Sequence, residues 1–147
     1  MDTDLDNFAF LIGDTARILR GRFDFYAREA GVTRAQWLVL VMLMRNEGAT
    51  QTRIAELLEV EPISLSRMAD RLEAAGYIER CLNARDRRVR ELRLTPEGHD
   101  LLKKLRLLGA QVMAEASKNV TPEDLEQFAT TMRKFRSNLV AAGEMSK

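Results

Sequence analysis

Arginine side chains are concentrated in one short stretch of the sequence, positions 79–93. This stretch contains six arginines and three acidic residues, whereas the whole chain has a net charge of only +1. The six are Arg80, Arg85, Arg87, Arg88, Arg90 and Arg93. Guanidinium groups at this density suit the phosphates or the narrow minor groove of duplex DNA. Within the run Asn-Ala-Arg-Asp-Arg-Arg at 83–88, the predicted DNA contacts are Arg85, Arg87 and Arg88. Asp86 is predicted to hold a neighbouring arginine through a charge-assisted hydrogen bond.

A second set of side chains suited to DNA lies in the segment 62–75. Leu65, Met68, Ala69 and Leu72 follow the i, i+3, i+4, i+7 spacing of a buried helical stripe. The rest of this helix carries short hydroxyls, arginines and one apolar side chain: Ile63, Ser64, Ser66, Arg67 and Arg71, with Asp70 among them. Arginine can donate two hydrogen bonds to guanine, serine can reach base edges or phosphate, and an apolar group can contact a thymine methyl. This face predicts DNA contacts; an ordinary solvated helix face is the alternative.

Two short helices joined by a tight turn are predicted around these residues. Thr50 suits the N-cap of a helix over 51–58, because its hydroxyl can accept an otherwise unpaired backbone amide. Pro62 suits the first position of the next helix, and Gly76 supplies the left-handed residue that ends it. This order of elements predicts a helix-turn-helix.

Two short extended runs flank the stretch 83–88. In the second run, Leu92 and Leu94 alternate with Arg93, as in a half-buried strand. A hairpin directly after a helix-turn-helix is a wing. The arginine-rich turn therefore lies where a wing contacts DNA, which favours the DNA-binding interpretation of both sets of residues.

The order and spacing of these motifs resemble the MarR family of bacterial transcriptional regulators. The matching runs are Thr52-Arg-Ile-Ala-Glu-Leu-Leu, Ser64-Leu-Ser-Arg-Met-Ala-Asp-Arg-Leu-Glu-Ala-Ala-Gly-Tyr-Ile, Asn83-Ala-Arg-Asp-Arg-Arg and Leu94-Thr-Pro-Glu-Gly. Flanking helices extend the resemblance over the whole chain. The family's wing usually reads Asp-x-Arg-Asp-x-Arg, and this chain has Asn83 at the first position. Because asparagine also caps turns, we expect the wing geometry to survive with one ion pair fewer.

Long helices are predicted on both sides of this unit. The first, about 5–30, has two apolar stripes: Leu5, Phe8, Ile12, Ala16, Leu19, Phe23 and Tyr26 in one, and Leu11, Ile18 and Phe25 in the other. A capping box of Thr33 and Gln36 opens a second helix to about 46, which is apolar on nearly every face and is therefore predicted as the core helix. Two more helices follow the wing, and the last carries a seam of Leu125, Phe128, Met132, Phe135 and Leu139.

The predicted fold is mainly α with a small β-hairpin wing, and its 147 residues suffice for a real core. We expect an N-terminal dimerisation helix over 1–32 and a winged helix-turn-helix DNA-binding domain over 33–95. Residues 96–147 are expected to form C-terminal dimerisation helices. The outer helices offer apolar faces that the DNA-binding unit does not use, which predicts a two-fold dimer with a second copy.

The resemblance implies a sequence-specific double-stranded DNA-binding transcriptional regulator, specifically a ligand-responsive repressor acting as a homodimer on a pseudo-palindromic operator. Two recognition helices related by two-fold symmetry enter successive major grooves about 34 Å apart. The resemblance also implies a small aromatic or anionic effector bound between the dimer helices and the DNA-binding unit. Its candidate lining is Arg17, Phe23, Tyr26 and Trp37, although ordinary packing explains the three aromatics equally well.

Two other functions are compatible with the sequence. A winged helix can serve protein–protein contact without binding DNA, although the arginine-rich turn argues against that use. Cys81 offers a cysteine-based redox switch. It lies on the predicted wing strand, however, and not near the N-terminus where related peroxide sensors carry their cysteine, which favours a bystander thiol.

The sequence does not predict an enzyme. One histidine, His99, and one cysteine, far apart in the chain, give little support to a metal site or a Cys/His nucleophile. No glycine-rich phosphate loop is present, and Gly76 and Gly98 are interpreted as helix punctuation. We therefore predict no catalytic residue, metal or cofactor.

The sequence also bears on localisation. The longest apolar run, 37–44, is too short to cross a bilayer, and the acidic N-terminus lacks the basic start of a signal peptide. These features predict a cytoplasmic protein without a membrane partner.

Overall fold

The chain is mostly helical with one two-stranded antiparallel sheet, as the sequence predicted. A computed structural model describes residues 2–144, with side chains over 7–143. The elements are α1 Asp2–Glu29, α2 Arg34–Arg45, α3 Gln51–Leu58, α4 Pro62–Ala74, β1 Ile78–Leu82, β2 Arg90–Leu94, α5 Pro96–Ala116 and α6 Pro122–Glu144. The side chain of Leu5 and residues 1 and 145–147, which belong to predicted outer segments, lie outside the described part.

Local capping interactions set where the central helices begin. At α2, the Thr33 hydroxyl accepts from the Gln36 backbone N–H at 3.1 Å, and the Gln36 side chain accepts from the Thr33 backbone N–H at 2.9 Å. At α3, the Thr50 hydroxyl accepts from a backbone N–H of the first turn. The helix α4 begins at Pro62, whose missing N–H is not needed there. These three predicted starts are confirmed.

The turn between α3 and α4 depends on one residue in a left-handed conformation. Glu59 caps α3 with φ of 54°, a region that a side chain with a Cβ adopts at a cost. At the other end of α4, Gly76 has φ of +80°, where glycine carries no such cost. The two positions give the helix-turn-helix its two sharp changes of direction.

A single hydrophobic core joins α2, α3, α4, the sheet and the first half of α5. Its fully buried side chains include Leu40, Leu43, Ile54, Leu65, Leu72, Ile78, Leu92 and Leu105. The helix α2 is a core helix as predicted, with Val39, Leu40 and Leu43 buried, although its apolar side chains Leu38 and Met44 are exposed. The core side of α2 is therefore a stripe, as in an amphipathic helix.

The two strands pair in a register that places Ile78 opposite Leu94 and Leu82 opposite Arg90. The sheet is also attached to the segment before α3. The backbone N–H of Leu92 donates to the carbonyl of Ala49 at 3.0 Å, and Thr50 forms a bridge with Glu91. The base of the hairpin is thus fixed to the start of α3, while its turn is free of the core.

The start of α5 is held tightly against the end of α4. The Tyr77 carbonyl accepts from the Thr95 backbone N–H at 3.1 Å, and the Thr95 hydroxyl donates to the Gly76 carbonyl at 2.6 Å. A Cβ on Gly98 would collide with the Tyr77 carbonyl. Gly98 lies inside α5, so its interpretation as helix punctuation was wrong. Glycine is required there by a close approach of two backbones.

The described residues divide between Val112 and Met113 into two compact units. In the first unit, α1 buries the Tyr26 side of its surface, while its second predicted stripe is exposed at Leu11, Ile18 and Phe25. In the second unit, α6 has exposed large apolar side chains at Leu125, Phe128, Phe135 and Leu139. Among the residues described, no helix is long and apolar enough to cross a membrane.

Candidate nucleic-acid interface

The helix α4 divides into a buried and an exposed face. Leu65, Ala69 and Leu72 are buried, as the predicted stripe requires. The residues predicted to contact DNA lie elsewhere on the helix: Ile63, Ser64, Arg67 and Arg71 are exposed and Ser66 is half-buried. The exposed face combines apolar, hydroxyl and guanidinium groups near the helix N-terminus, which are the group types that recognise base edges.

The turn of the hairpin is organised by Asn83. Its Oδ1 accepts from the backbone N–H groups of Arg85 and Asp86, at 2.8 and 3.1 Å. Its backbone N–H donates to the Val89 carbonyl at 3.1 Å, and its Nδ2 donates to Glu91 Oε1 at 2.5 Å. Asparagine therefore caps the turn as expected, and it also makes a contact with β2 that an aspartate could not make, because only the amide is a donor.

Asp86 organises the turn through the backbone. Its Oδ1 accepts from the backbone N–H of Arg88 at 2.9 Å, and not from a neighbouring guanidinium as the sequence predicted. The short aspartate side chain favours this local bond two residues on. Within the described part of the chain, Arg85, Arg87 and Arg88 are exposed and their guanidinium groups have no hydrogen-bond or ion-pair partner. Their charges are available to an external anion.

Arg80 differs from the other arginines of the hairpin, because its side chain is only 15 % exposed. Its Nη2 lies 2.7 Å from Asp70 Oδ1 and its Nη1 lies 2.6 Å from Glu73 Oε2, both on α4. Burial alone would lower the pKa of this guanidinium, but the hydrogen bonds to Glu73 and Asp70 raise it above the ordinary value. Arg80 is therefore one of the six arginines counted in the hairpin, but its charge is paired. It lies two residues after buried Ile78, so strand alternation already indicated an inward direction.

A cleft of about 420 Å³ separates the hairpin from the start of α3. It is lined by Thr50, Gln51, Thr52, Arg88, Val89 and Arg90. Sequence analysis singled out Arg88 but not Arg90 or the first turn of α3, which the structure places beside it. The signal was present in the Thr50 cap, because the first turn of a helix presents unpaired N–H groups that favour anions.

A shallow apolar pocket of about 250 Å³ lies between α1 and α2. Its lining is Phe23, Arg34, Trp37 and Leu38, and the Phe23 and Trp37 rings meet edge to face with centroids 5.5 Å apart. Two of the four predicted effector residues are thus brought together. Arg34 and Leu38 were missed, although Arg34 lies one helical turn before Trp37 on the same face.

The other two predicted effector residues lie outside the lining of this pocket. Tyr26 is buried, and its hydroxyl accepts from Gln111 Nε2 at 3.0 Å. Arg17 is exposed and paired with Asp14 at 2.6 Å.

Cys81 is partly buried on β1. No group of three or more His, Cys, Asp or Glu side chains within the described residues is arranged to hold a metal ion.

Two helices joined by a tight turn, an exposed polar face on the second, and a hairpin tipped with unpaired arginines define a winged helix-turn-helix protein. Comparison with known proteins gives the family. The model of the MarR family matches residues 30–89. Residues 30–89 therefore form a domain of the MarR family of transcriptional regulators.

Individual relatives agree with this assignment. The chain is 38% identical over 99 residues to the HTH-type transcriptional repressor MdtR of Bacillus subtilis. The aligned region covers 67% of this chain and 64% of MdtR. Its fold is similar to the crystal structure of Bacillus subtilis YusO, with a TM-score of 0.77, 29% identity, and coverage of 93% of this chain and 97% of that one. The crystal structure of a mutant MarR from E. coli complexed with operator DNA matches with a TM-score of 0.76 and 25% identity. The match covers 90% of this chain and 95% of that one.

Proposed function

We propose that the chain is a sequence-specific regulator, specifically a repressor, that binds a pseudo-palindromic operator in double-stranded DNA as a homodimer. One observation carries the proposal: the exposed face of α4 and three unpaired arginines, Arg85, Arg87 and Arg88, lie in one compact unit. The solved MarR structure with operator DNA and the repressor MdtR support it by similarity. A chromosomal target would make the bacterial cytoplasm its place of action.

Each set of residues has a separate role in this proposal. Ser64, Ser66 and Arg67 bind base edges or adjacent phosphates in the major groove. Arg85 and Arg88 enter the neighbouring minor groove or bind its phosphates, where positive charge is favoured independently of sequence. Recognition is therefore expected to come mainly from α4, and a large share of the affinity from the hairpin.

The homodimer is supported by apolar surface on the outer helices. The exposed stripe of Leu11, Ile18 and Phe25 on α1 and the exposed seam of α6 have the composition of a subunit contact. On this proposal, segments 1–32 and 96–147 form the dimer and segment 33–95 binds DNA. Sedimentation of the full chain at micromolar concentration tests it, and a monomer at that concentration contradicts it.

DNA binding is tested by selecting 30-base-pair duplexes from a randomised pool with the full chain. Retardation of the enriched duplex is then measured against a shuffled duplex of the same composition. We expect enrichment of a two-fold symmetric sequence and an affinity that falls steeply as salt rises. Failure to enrich any sequence, with no retardation of duplex DNA from the chain's own upstream region, contradicts the proposal and favours a protein-binding winged helix.

We also propose that the pocket of Phe23, Arg34, Trp37 and Leu38 binds a small aromatic anion that releases the DNA. The two rings offer an apolar edge, and Arg34 is the cation beside it, with its Nε 3.6 Å from Asp24. Trp37 is the only tryptophan, so its fluorescence reports occupancy directly. Benzoate and 1-naphthoate are suitable probes. Quenching in the wild type that is lost in Arg34→Gln supports the site, and unchanged fluorescence contradicts it.

A further inference from the structure

The side chain of Arg80 joins three elements of the DNA-binding unit. From β1 it donates through Nε to Gln51 Oε1 on α3 at 3.2 Å, and through Nη2 to the Ser66 carbonyl on α4 at 3.2 Å. Its ion pairs with Asp70 and Glu73 are also on α4, and the Arg80 backbone N–H donates to Glu73 Oε1 at 3.2 Å. All three nitrogens of the guanidinium are engaged, which leaves little capacity for another ligand.

These contacts lie next to the residues proposed to bind DNA. Ser66 is itself one of those residues, and its carbonyl precedes the peptide bond to Arg67. Gln51 is the first residue of α3 and lines the cleft beside Arg88. Arg80 therefore fixes the middle of α4 relative to both the start of α3 and the hairpin. A planar guanidinium suits this task because its donors have a fixed geometry.

Arg80 also acts on the charge of the interface. Asp70 is 64% exposed and Glu73 is 42% exposed, so both carboxylates lie on the surface of α4. Phosphates of an approaching duplex would be repelled by two uncompensated carboxylates. The single guanidinium at 2.7 and 2.6 Å neutralises part of that repulsion while remaining mostly buried.

We propose that Arg80 is a positioning residue for DNA binding, which orients α4 and screens Asp70 and Glu73 without contacting DNA. This inference rests on the proposed function. It extends that function, because Arg80 is not among the residues proposed to contact DNA. Its role is exerted through the geometry of Ser66 and Arg67 and through the potential at the surface of α4.

The test compares Arg80→Met, Arg80→Lys and Arg88→Ala in the full chain, using the enriched duplex and the shuffled duplex. For Arg80→Met we expect affinity for the enriched duplex to fall about tenfold or more, and affinity for the shuffled duplex to fall less. The salt dependence of binding should change less than in Arg88→Ala, because no phosphate contact is lost. Arg88→Ala should instead reduce the salt slope by about one unit.

Two further variants separate orientation from charge. Adding Asp70→Asn and Glu73→Gln to Arg80→Met should recover the part of the affinity lost to repulsion, while the preference for the enriched duplex stays low. Arg80→Lys keeps the charge but not the planar set of donors, so it should retain affinity for the shuffled duplex and lose preference. Circular dichroism fixes the folded fraction of each variant. If Arg80→Met does not fold, Arg80→Lys decides the question.

Three outcomes overturn the inference. An unchanged preference for the enriched duplex in folded Arg80→Lys and Arg80→Met would show a role in stability alone. A salt slope reduced as much as in Arg88→Ala would identify Arg80 as a direct phosphate contact. If the wild type enriches no duplex, the proposed function fails and this inference fails with it, whereas normal wild-type binding with normal variants removes the inference alone.

Discussion

The substitution Asn83→Asp tests the construction of the hairpin turn, because it changes one donor and almost nothing of the shape. The Oδ1 atom that accepts from Arg85 and Asp86 is retained by a carboxylate. The Nδ2 atom that donates to Glu91 Oε1 becomes an oxygen, so two carboxylates come into contact. The MarR family usually carries aspartate at this position, and family resemblance alone therefore predicts a harmless change. The structure predicts a damaging one.

The magnitude follows from two terms. A hydrogen bond to a charged group contributes about 1.5–3 kcal/mol, and that bond is lost. Two like charges about 4 Å apart repel by about 1 kcal/mol in water and by about 4 kcal/mol near a protein surface. The Glu91 side chain is only 17% exposed, so it cannot turn fully into solvent. Rotation of the new carboxylate relieves part of the repulsion, leaving a net cost of about 1–3 kcal/mol. If the turn must reform to bind, duplex affinity falls by about 5- to 150-fold.

The assay is a double-mutant cycle of duplex affinity over Asn83→Asp, Glu91→Gln and the pair. In the double variant the glutamine amide at 91 can donate to the carboxylate at 83. The hydrogen bond is restored, with donor and acceptor exchanged between the two positions. Glu91→Gln alone controls for loss of its 3.3 Å contact with Arg93. Wild-type affinity in Asn83→Asp, or a double variant no better than that single one, refutes the reasoning.

Other substitutions test the fold and the interface. Gly98→Ala should lower the free energy of unfolding by about 1–3 kcal/mol in urea denaturation. Its control is Gly21→Ala, inside α1 with nothing within 4 Å of a new Cβ, which should raise stability by up to about 1 kcal/mol. Glu59→Gly should raise stability by about 1 kcal/mol in the same assay by relieving its left-handed conformation; lower stability would contradict this. In retardation assays, Arg88→Ala should weaken binding to most duplexes alike, whereas Arg67→Ala should cost about 1–3 kcal/mol and relax sequence preference; unchanged affinity in both would contradict the interface.

Much of the fold was predictable because its signals are local. The caps at Thr33 and Thr50, the start at Pro62 and the left-handed Gly76 each depend on residues within one helical turn. The buried stripe of α4 follows from helical spacing alone. The exposed second stripe of α1 was also predictable, because Leu11, Ile18 and Phe25 recur every seven residues and therefore share one side of the helix.

The features that sequence reasoning missed depend on contacts between distant positions. Arg80 counts as a surface charge until Asp70 and Glu73 are known to lie beside it. Gly98 resembles a helix boundary until the carbonyl of Tyr77 is found against it. Periodicity gives the direction of a side chain but not its partner, so it cannot distinguish a free arginine from a paired one.

The junction of α4, β1 and α5 leaves no flexible joint between the long helix and the hairpin. Thr95 is hydrogen-bonded to the carbonyls of Gly76 and Tyr77. The backbone of Gly98 packs so closely against the Tyr77 carbonyl that there is no room for a Cβ. A tilt at the start of α5 must therefore carry the root of β1 with it as one rigid body, since packed interfaces shift between discrete arrangements and do not stretch. A displacement of the start of α5 is therefore expected to move the base of the arginine-rich hairpin without any loop having to unfold.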